Sequence, residues 1–198
     1  MVKLAIVYYS ATGTNYEMAK AAEEAALCQE AEVRLLRVAE QAPEEVIAAN
    51  AAWKKHHEET SGVSVAKPED LEWADAILFG TPTRFGNAAA QLRQFIDTTG
   101  GLWAKGKLAN KVVSAFTSAQ NPHGGQEATI LSLYTTFYHW GAIVVAPGYT
   151  DPVLFKAGGN PYGTSATVDE NGHFDPIALE AIKVQTNRVI DVTKRLNR

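Results

Sequence analysis

The chain has 198 residues, of which 46% are hydrophobic and 20% charged, with Gly and Pro scattered rather than concentrated. That length suits one domain over residues 1–198 that hides roughly 70% of its unfolded surface, and the composition excludes disordered and fibrous classes. The net charge of −4 is spread along the chain without a Lys/Arg cluster, which argues against a nucleic-acid partner.

Met1 precedes Lys3 and the run Leu4 to Tyr9, which reads as a buried parallel strand rather than a secretory segment. Asn15 to Leu27 follows as a helix. Cys28 stands alone after it, so no internal disulfide is available, and a cytoplasmic setting is expected. Ala31 to Val38 alternates like an edge strand, and part of Pro43 to Glu59 is helical. The polar stretch Trp53 to Asp70 reads as an insertion, and no metal-ligand spacing involves its His56 and His57. Further strands are predicted at Ala76 to Phe79, Val112 to Phe116 and Ala142 to Val145, and further helices at Ala88 to Thr98, Gln126 to Trp140 and Pro176 to Leu196. A Gly/Pro-rich loop, Asp151 to Pro176, separates the last two elements. The longest apolar runs, Leu4 to Tyr9 and Ala142 to Pro147, fall far below the ~20 residues of a membrane span, so no membrane insertion is expected.

Strand and helix alternate throughout, which predicts an α/β domain with right-handed crossovers and helices on both faces of a doubly wound, five-stranded parallel sheet. Five strands and five helices match a flavodoxin-like count, with strand order 2-1-3-4-5. In such sheets ligands bind beyond the carboxyl ends of the strands where the strand order reverses. The functional residues are therefore expected to follow strands 1, 3 and 4.

Strand 1 is followed by Ser10-Ala11-Thr12-Gly13-Thr14-Asn15, which leads straight into a helix with Thr14 and Glu17 spaced as a capping box. The residues leave two readings open: a capped strand-to-helix turn, or a phosphate cradle of free N–H groups and hydroxyls at a helix N-terminus. The motif is neither a P-loop nor a G-x-G-x-x-G fingerprint, and a phosphate held without a basic residue is the pattern of flavodoxin-type FMN sites. After strand 3, the stretch Gly80 to Asn87 reads as a loop: Pro82 and Gly86 fix backbone shape, Thr83 offers polar contacts, and Phe85 a flat apolar face. Arg84 reads either as a surface cation in an ion pair or as a fixed charge favouring two-electron reduction of a flavin. After strand 4, Ser118, Ala119, Gln120, Asn121 and Gly124 belong to a loop of hydroxyls, amides and glycines suited to a flavin's pyrimidine edge.

Pro82-Thr83-Arg84-Phe85-Gly86-Asn87, followed by Thr99-Gly100-Gly101-Leu102-Trp103-Ala104, the Gly124-Gly125-Gln126-Glu127 turn and Gly159-Asn160-Pro161-Tyr162-Gly163, resembles the tryptophan-repressor-binding-protein family of NAD(P)H:quinone oxidoreductases from Lys3 to Leu196. The resemblance implies a flavodoxin-like homotetramer with one FMN per subunit, passing two electrons from NADH or NADPH to quinones by ping-pong hydride transfer. It implies that Ser10 to Asn15 hold the FMN phosphate, with Thr12 also near the nicotinamide. Pro82 to Gly86 and Ser118 to Gly124 would contact the flavin, His139 would reach it, and Trp103 would wall the substrate site at a subunit contact. On the residues alone His139 is as readily a packed or capping side chain. Thr12 and Thr14 stand where the family commonly has Tyr and His, the loop after strand 4 is one residue longer, and Trp53 to Ser64 is extended. Two other functions share the same loops: a one-electron flavodoxin-type carrier, which usually surrounds its flavin with acid, and a flavin-binding regulatory protein.

Overall fold

The computed structural model describes residues 1–197. Three fully or nearly fully buried strands form the centre of the sheet: β1 (Lys3–Tyr8), β3 (Ala76–Arg84) and β5 (Val112–Ala119). Because successive side chains of a strand point to opposite faces, each strand feeds two cores. Leu4, Ile6 and Tyr8 of β1 join Leu78 and Phe116 under α1 (Thr14–Cys28) and the terminal helix, Ile177–Leu196. Ala5, Val7, Phe79 and Val113 pack on the other face, against the helices Ala90–Asp97 and Gln126–His139. Burial on both faces explains why these strands are continuous apolar runs.

The sheet order is β2-β1-β3-β5-β6, all parallel along that path, with β2 at Glu32–Arg37 and β6 at Ile143–Val144. This is the expected order 2-1-3-4-5, but the sheet has seven strands rather than five. One addition is β4 (Asn87–Ala88), which pairs antiparallel with the far end of β3. The other is β7 (Ser165–Thr167), which pairs with Thr117–Ala119 and continues the edge that β6 begins at Val112 and Val113. The fifth column of the sheet is thus split in two, and the segment expected to be a loop from Asp151 to Pro176 carries both β7 and the short helix α8 (Pro152–Lys156).

The remaining helices are α2 (Glu44–Ala48), α3 (Ala51–Glu59), α4 (Pro68–Trp73), α5 (Ala90–Asp97), α6 (Gly100–Ala104), α7 (Gln126–His139) and α9 (Ile177–Leu196). The stretch Trp53 to Asp70 is ordered structure rather than a plain insertion. It holds most of α3, and Val65 then bridges Arg37 through Arg37 N–H to the Ser64 carbonyl (3.0 Å) and Ala66 N–H to the Arg37 carbonyl (2.8 Å). That bridge pairs the backbone groups of Arg37 at the end of the edge strand β2.

A candidate flavin cleft at the strand ends

The order of the sheet reverses between β1 and β3, and there a cleft of about 580 Å³ opens beyond the carboxyl ends of the strands. Its volume falls within the roughly 300–1,000 Å³ usual for small-molecule and cofactor sites. Three segments converge on it.

The first is the turn after β1. Ser10, Ala11, Thr12, Thr14 and Asn15 line the cleft, whereas Gly13 lies behind them with φ +108°. The expected capping box is not formed. Gly13 is itself the N-cap, Thr14 is already helical, and the Ser10 hydroxyl accepts the Gly13 N–H at 3.1 Å. The N–H groups of the first turn of α1, which have no carbonyl partner within the helix, therefore belong to a loop with no basic side chain. Asn15 is almost completely buried; its Nδ2 donates to the Ser118 hydroxyl at 2.9 Å, while its Oδ1 is buried without a partner.

The second segment corrects the loop expected from Gly80 to Asn87. β3 continues to Arg84 and turns back through Phe85 (φ +52°) and Gly86 (φ +77°) into β4, a hairpin with left-handed backbone at both turn positions. Phe85 occupies this costly conformation as a non-glycine residue, with its ring fully exposed at the rim of the cleft. Pro82, Thr83 and Arg84 line the cleft beside it, and Gly86 does not. The Thr83 hydroxyl lies 2.6 Å from that of Thr129 and donates to the Gly124 carbonyl at 3.3 Å, which ties the hairpin to the third segment. Arg84 is exposed, and its guanidinium reaches only the Thr83 carbonyl, at 3.2 Å; among the described residues it forms no ion pair.

The third segment begins later than expected because β5 runs to Ala119. Ser118, Ala119, Gln120, Asn121 and Gly124 all line the cleft. Asn121 closes the turn on itself: its side-chain oxygen accepts the His123 N–H at 3.0 Å and its carbonyl accepts the Gly124 N–H at 3.1 Å. Gly125 has φ +91°, and a Cβ there would come within 2.8 Å of the Gly86 Cα, so the two turns meet this closely because residue 125 is glycine.

Among the residues lining the cleft no carboxylate occurs, and Arg84 is the one cationic side chain. Such a surface suits a bound anion and a ring that gains negative charge.

Two expected site residues are not brought here. His139 ends α7, whose first turn borders the cleft, and 13 residues at about 1.5 Å each place it roughly 20 Å further along the helix. Its side chain is exposed, and its carbonyl accepts the Trp103 Nε1 at 2.9 Å, so both residues sit together on the outer surface of this single chain. Conversely, Asn50, Trp53 and Val168 line the cleft although they follow none of the strand ends expected to supply it. Asn50 carried a usable signal: it is the N-cap of α3 and accepts the Trp53 N–H at 3.1 Å.

The family model of the NADPH-dependent FMN reductases matches residues 2–150. The chain belongs to the NADPH-dependent FMN reductase family. A protein of Deinococcus radiodurans named NAD(P)H dehydrogenase (quinone) is 54% identical over 195 residues, covering 98% of this chain and 97% of its own length. One of the same name from Aromatoleum aromaticum is 44% identical over 207 residues, covering 100% and 98%. These full-length matches bear out the resemblance carried by Pro82 to Asn87 and Thr99 to Ala104. The flavodoxin-like fold is shared with a WrbA-like flavodoxin from Agrobacterium tumefaciens, with a TM-score of 0.69 at 23% identity over 98% of this chain and 99% of that one.

Proposed function

We propose that this protein is an FMN-dependent NAD(P)H:quinone oxidoreductase that carries out two-electron reduction of quinones to hydroquinones. The observation that carries the reading is the convergence of three strand-end segments on one cleft with no carboxylate in its lining, a single arginine, and a buried, partnerless amide oxygen at the helix N-terminus. Relatives alike over their full length, named NAD(P)H dehydrogenase (quinone), support it.

The residues present fit FMN. Ser10 to Asn15 would hold its phosphate through hydroxyls and first-turn N–H groups; exchanging the two ends of the Asn15 amide, which fills the same space, turns its unpaired end into a donor while keeping the bond to Ser118. Thr83, Arg84 and Phe85 on one side, and Ser118 to Gly124 on the other, would hold the ring. FMN, when bound, supplies hydride chemistry between a reduced nicotinamide and a quinone. The chain's own part is to bind, to orient and to set charge. Arg84 places a fixed positive charge where negative charge develops, and the Phe85 turn holds an apolar face at the rim. Donor and acceptor share this one cleft and so occupy it in turn.

The absence of acid from the lining disfavours a one-electron carrier, whose flavin is kept from full reduction by surrounding negative charge. A homotetramer is part of the same proposal. Trp103 is exposed and with His139 lies remote from their own chain's cleft, so any contribution to catalysis comes through a neighbouring copy. Exposed Cys28 forms no disulfide and suits a reducing, cytoplasmic setting. No helix among the described residues is long and apolar enough to cross a membrane.

Titrating the purified protein with FMN and then, anaerobically, with NADH or NADPH tests the reading. Stoichiometric binding followed by full bleaching of the flavin absorbance is expected; no binding, or bound flavin that neither donor reduces, would refute it.

A further inference from the structure

The cleft extends past the segments assigned to the flavin. Asn50 and Trp53 line it from the crossover that leaves β2, on the far side of β1 from β3. These two residues belong to the start of α3, and the Trp53 indole shares its carboxylate partner, Glu40, with Tyr9 at the end of β1.

Trp53 is firmly held there. Its indole Nε1 donates to Glu40 Oε2 at 3.1 Å, and the same oxygen accepts the Tyr9 hydroxyl at 2.9 Å. Glu40 Oε1 accepts Gln91 Nε2 at 2.8 Å and the N–H groups of Gln41 and Ala42 at 2.8 and 2.9 Å. Gln91 also donates to the Tyr9 hydroxyl at 2.9 Å. One carboxylate thus gathers donors from the end of β1, from α3, from α5 and from its own turn, and it fixes the indole at the edge of the cleft. Arg84, at the end of β3, is close enough for its charge to act on the Tyr9 hydroxyl.

A nicotinamide dinucleotide is long, and a quinone is short. On the functional reading above, on which this inference rests, the nicotinamide meets the flavin ring over β3 and β5, and the adenine end must lie elsewhere in the same cleft. The aromatic wall that no flavin segment uses is Trp53, at the end of β1, and Arg84 also lines the cleft, where a pyrophosphate needs positive charge. We propose that Trp53, positioned by Glu40, is the surface on which the adenine half of the nicotinamide dinucleotide stacks. It therefore sets selectivity for the dinucleotide donor and does not act on the quinone. Stacking on an aromatic face suits a purine because it demands no particular hydrogen-bonding edge.

The test is calorimetric titration of the FMN-loaded protein with ADP, the probe for that half, comparing the parent with Trp53→Ala, Trp53→Phe and Glu40→Gln. Trp53→Ala is expected to weaken ADP binding about tenfold or more, the scale of one base stacked on one ring. Trp53→Phe, which keeps a stacking face and guards against a folding defect, retains most of the affinity, and Glu40→Gln falls between the two. In turnover, the ratio of kcat/KM for NADH to that for reduced nicotinamide mononucleotide, which lacks adenine, falls about tenfold in Trp53→Ala. Equal ADP affinity in parent and Trp53→Ala, or equal loss with both donors, would overturn the inference. A parent that binds ADP through Trp53 yet fails to oxidise NADH would uphold the stacking wall and sink the quinone reductase reading instead.

Discussion

Asn15, one residue into α1, donates its amide to the hydroxyl of Ser118 near the end of β5 across 2.9 Å, a bond between residues 103 positions apart. It joins the turn proposed for the phosphate to the segment proposed for the flavin ring, and both residues are buried. A hydrogen bond to a charged group contributes about 1.5–3 kcal/mol, so Asn15→Ala should weaken FMN binding roughly 10- to 100-fold. Asn15→Asp, which sets a like charge against the phosphate, should cost at least as much, and Ser118→Ala less. Quenching of flavin fluorescence measures all three; a dissociation constant within about twofold of the parent for Asn15→Ala would remove Asn15 from the phosphate site.

Arg84 has no ion-pair partner among the described residues, so its positive charge is uncompensated at the cleft. Removing it in Arg84→Ala should disfavour the reduced flavin by about 0.5–1.4 kcal/mol, which for a two-electron couple lowers the midpoint potential by roughly 10–30 mV. Dye-equilibrated reduction of the two proteins reads the difference. A potential that stays the same or rises would show that Arg84 faces elsewhere in the holoprotein.

Gly80 lies in the middle of β3 beneath the cleft, and a Cβ there would come within 2.2 Å of the Phe116 ring. Phe116 is fully buried and cannot swing away. Gly80→Ala should therefore destabilise the protein by about 1–3 kcal/mol, the usual cost of overpacking a filled core, with FMN affinity falling alongside. Urea unfolding with an unchanged m-value and a lower midpoint is the expected result.

His56, on the inner face of α3, is buried beside the Gly13 turn, with its ring 5.5 Å from that of Tyr16. Burial lowers its pKa below the usual histidine value; Glu59 opposes the shift and His57 adds to it. Below about pH 6.5 the unfolded chain then binds more protons than the folded one, so the apoprotein loses stability as the pH falls through that value. His56→Gln should flatten this part of the profile. Thermal melts between about pH 8 and 5.5 check it, and equal slopes in parent and variant would exclude His56 as the group responsible.

The main strands and the longer helices were legible in the sequence because their signals are local. Leu4 to Tyr9 and Val112 to Phe116 are continuous apolar runs that only burial on two faces explains, and α9 shows helical periodicity over 20 residues. The three cleft segments were legible because they must follow β1, β3 and β5. What escaped notice depends on pairing between distant residues. β7 is three residues long and exists because Thr117 to Ala119 extend past β6 and need a partner. The hairpin at Phe85 hides behind a positive φ on an aromatic residue, which no turn rule anticipates. Trp53 reaches the cleft through Glu40, 13 positions earlier in the sequence and beyond the range of any helical pattern. Thr14 and Glu17 matched a capping box, but Gly13 adopts a backbone that moves the start of the helix onto itself.

The most direct test of the central claim is steady-state turnover by FMN-loaded protein with NADH or NADPH and benzoquinone, varying donor and acceptor together. Alternating use of one cleft predicts a family of parallel double-reciprocal lines, hydroquinone formed in equal amount to the nicotinamide oxidised, and no turnover once FMN is removed. Intersecting lines would contradict the shared cleft. Flavin that binds and yet leaves both nicotinamide and quinone unchanged would contradict the function itself.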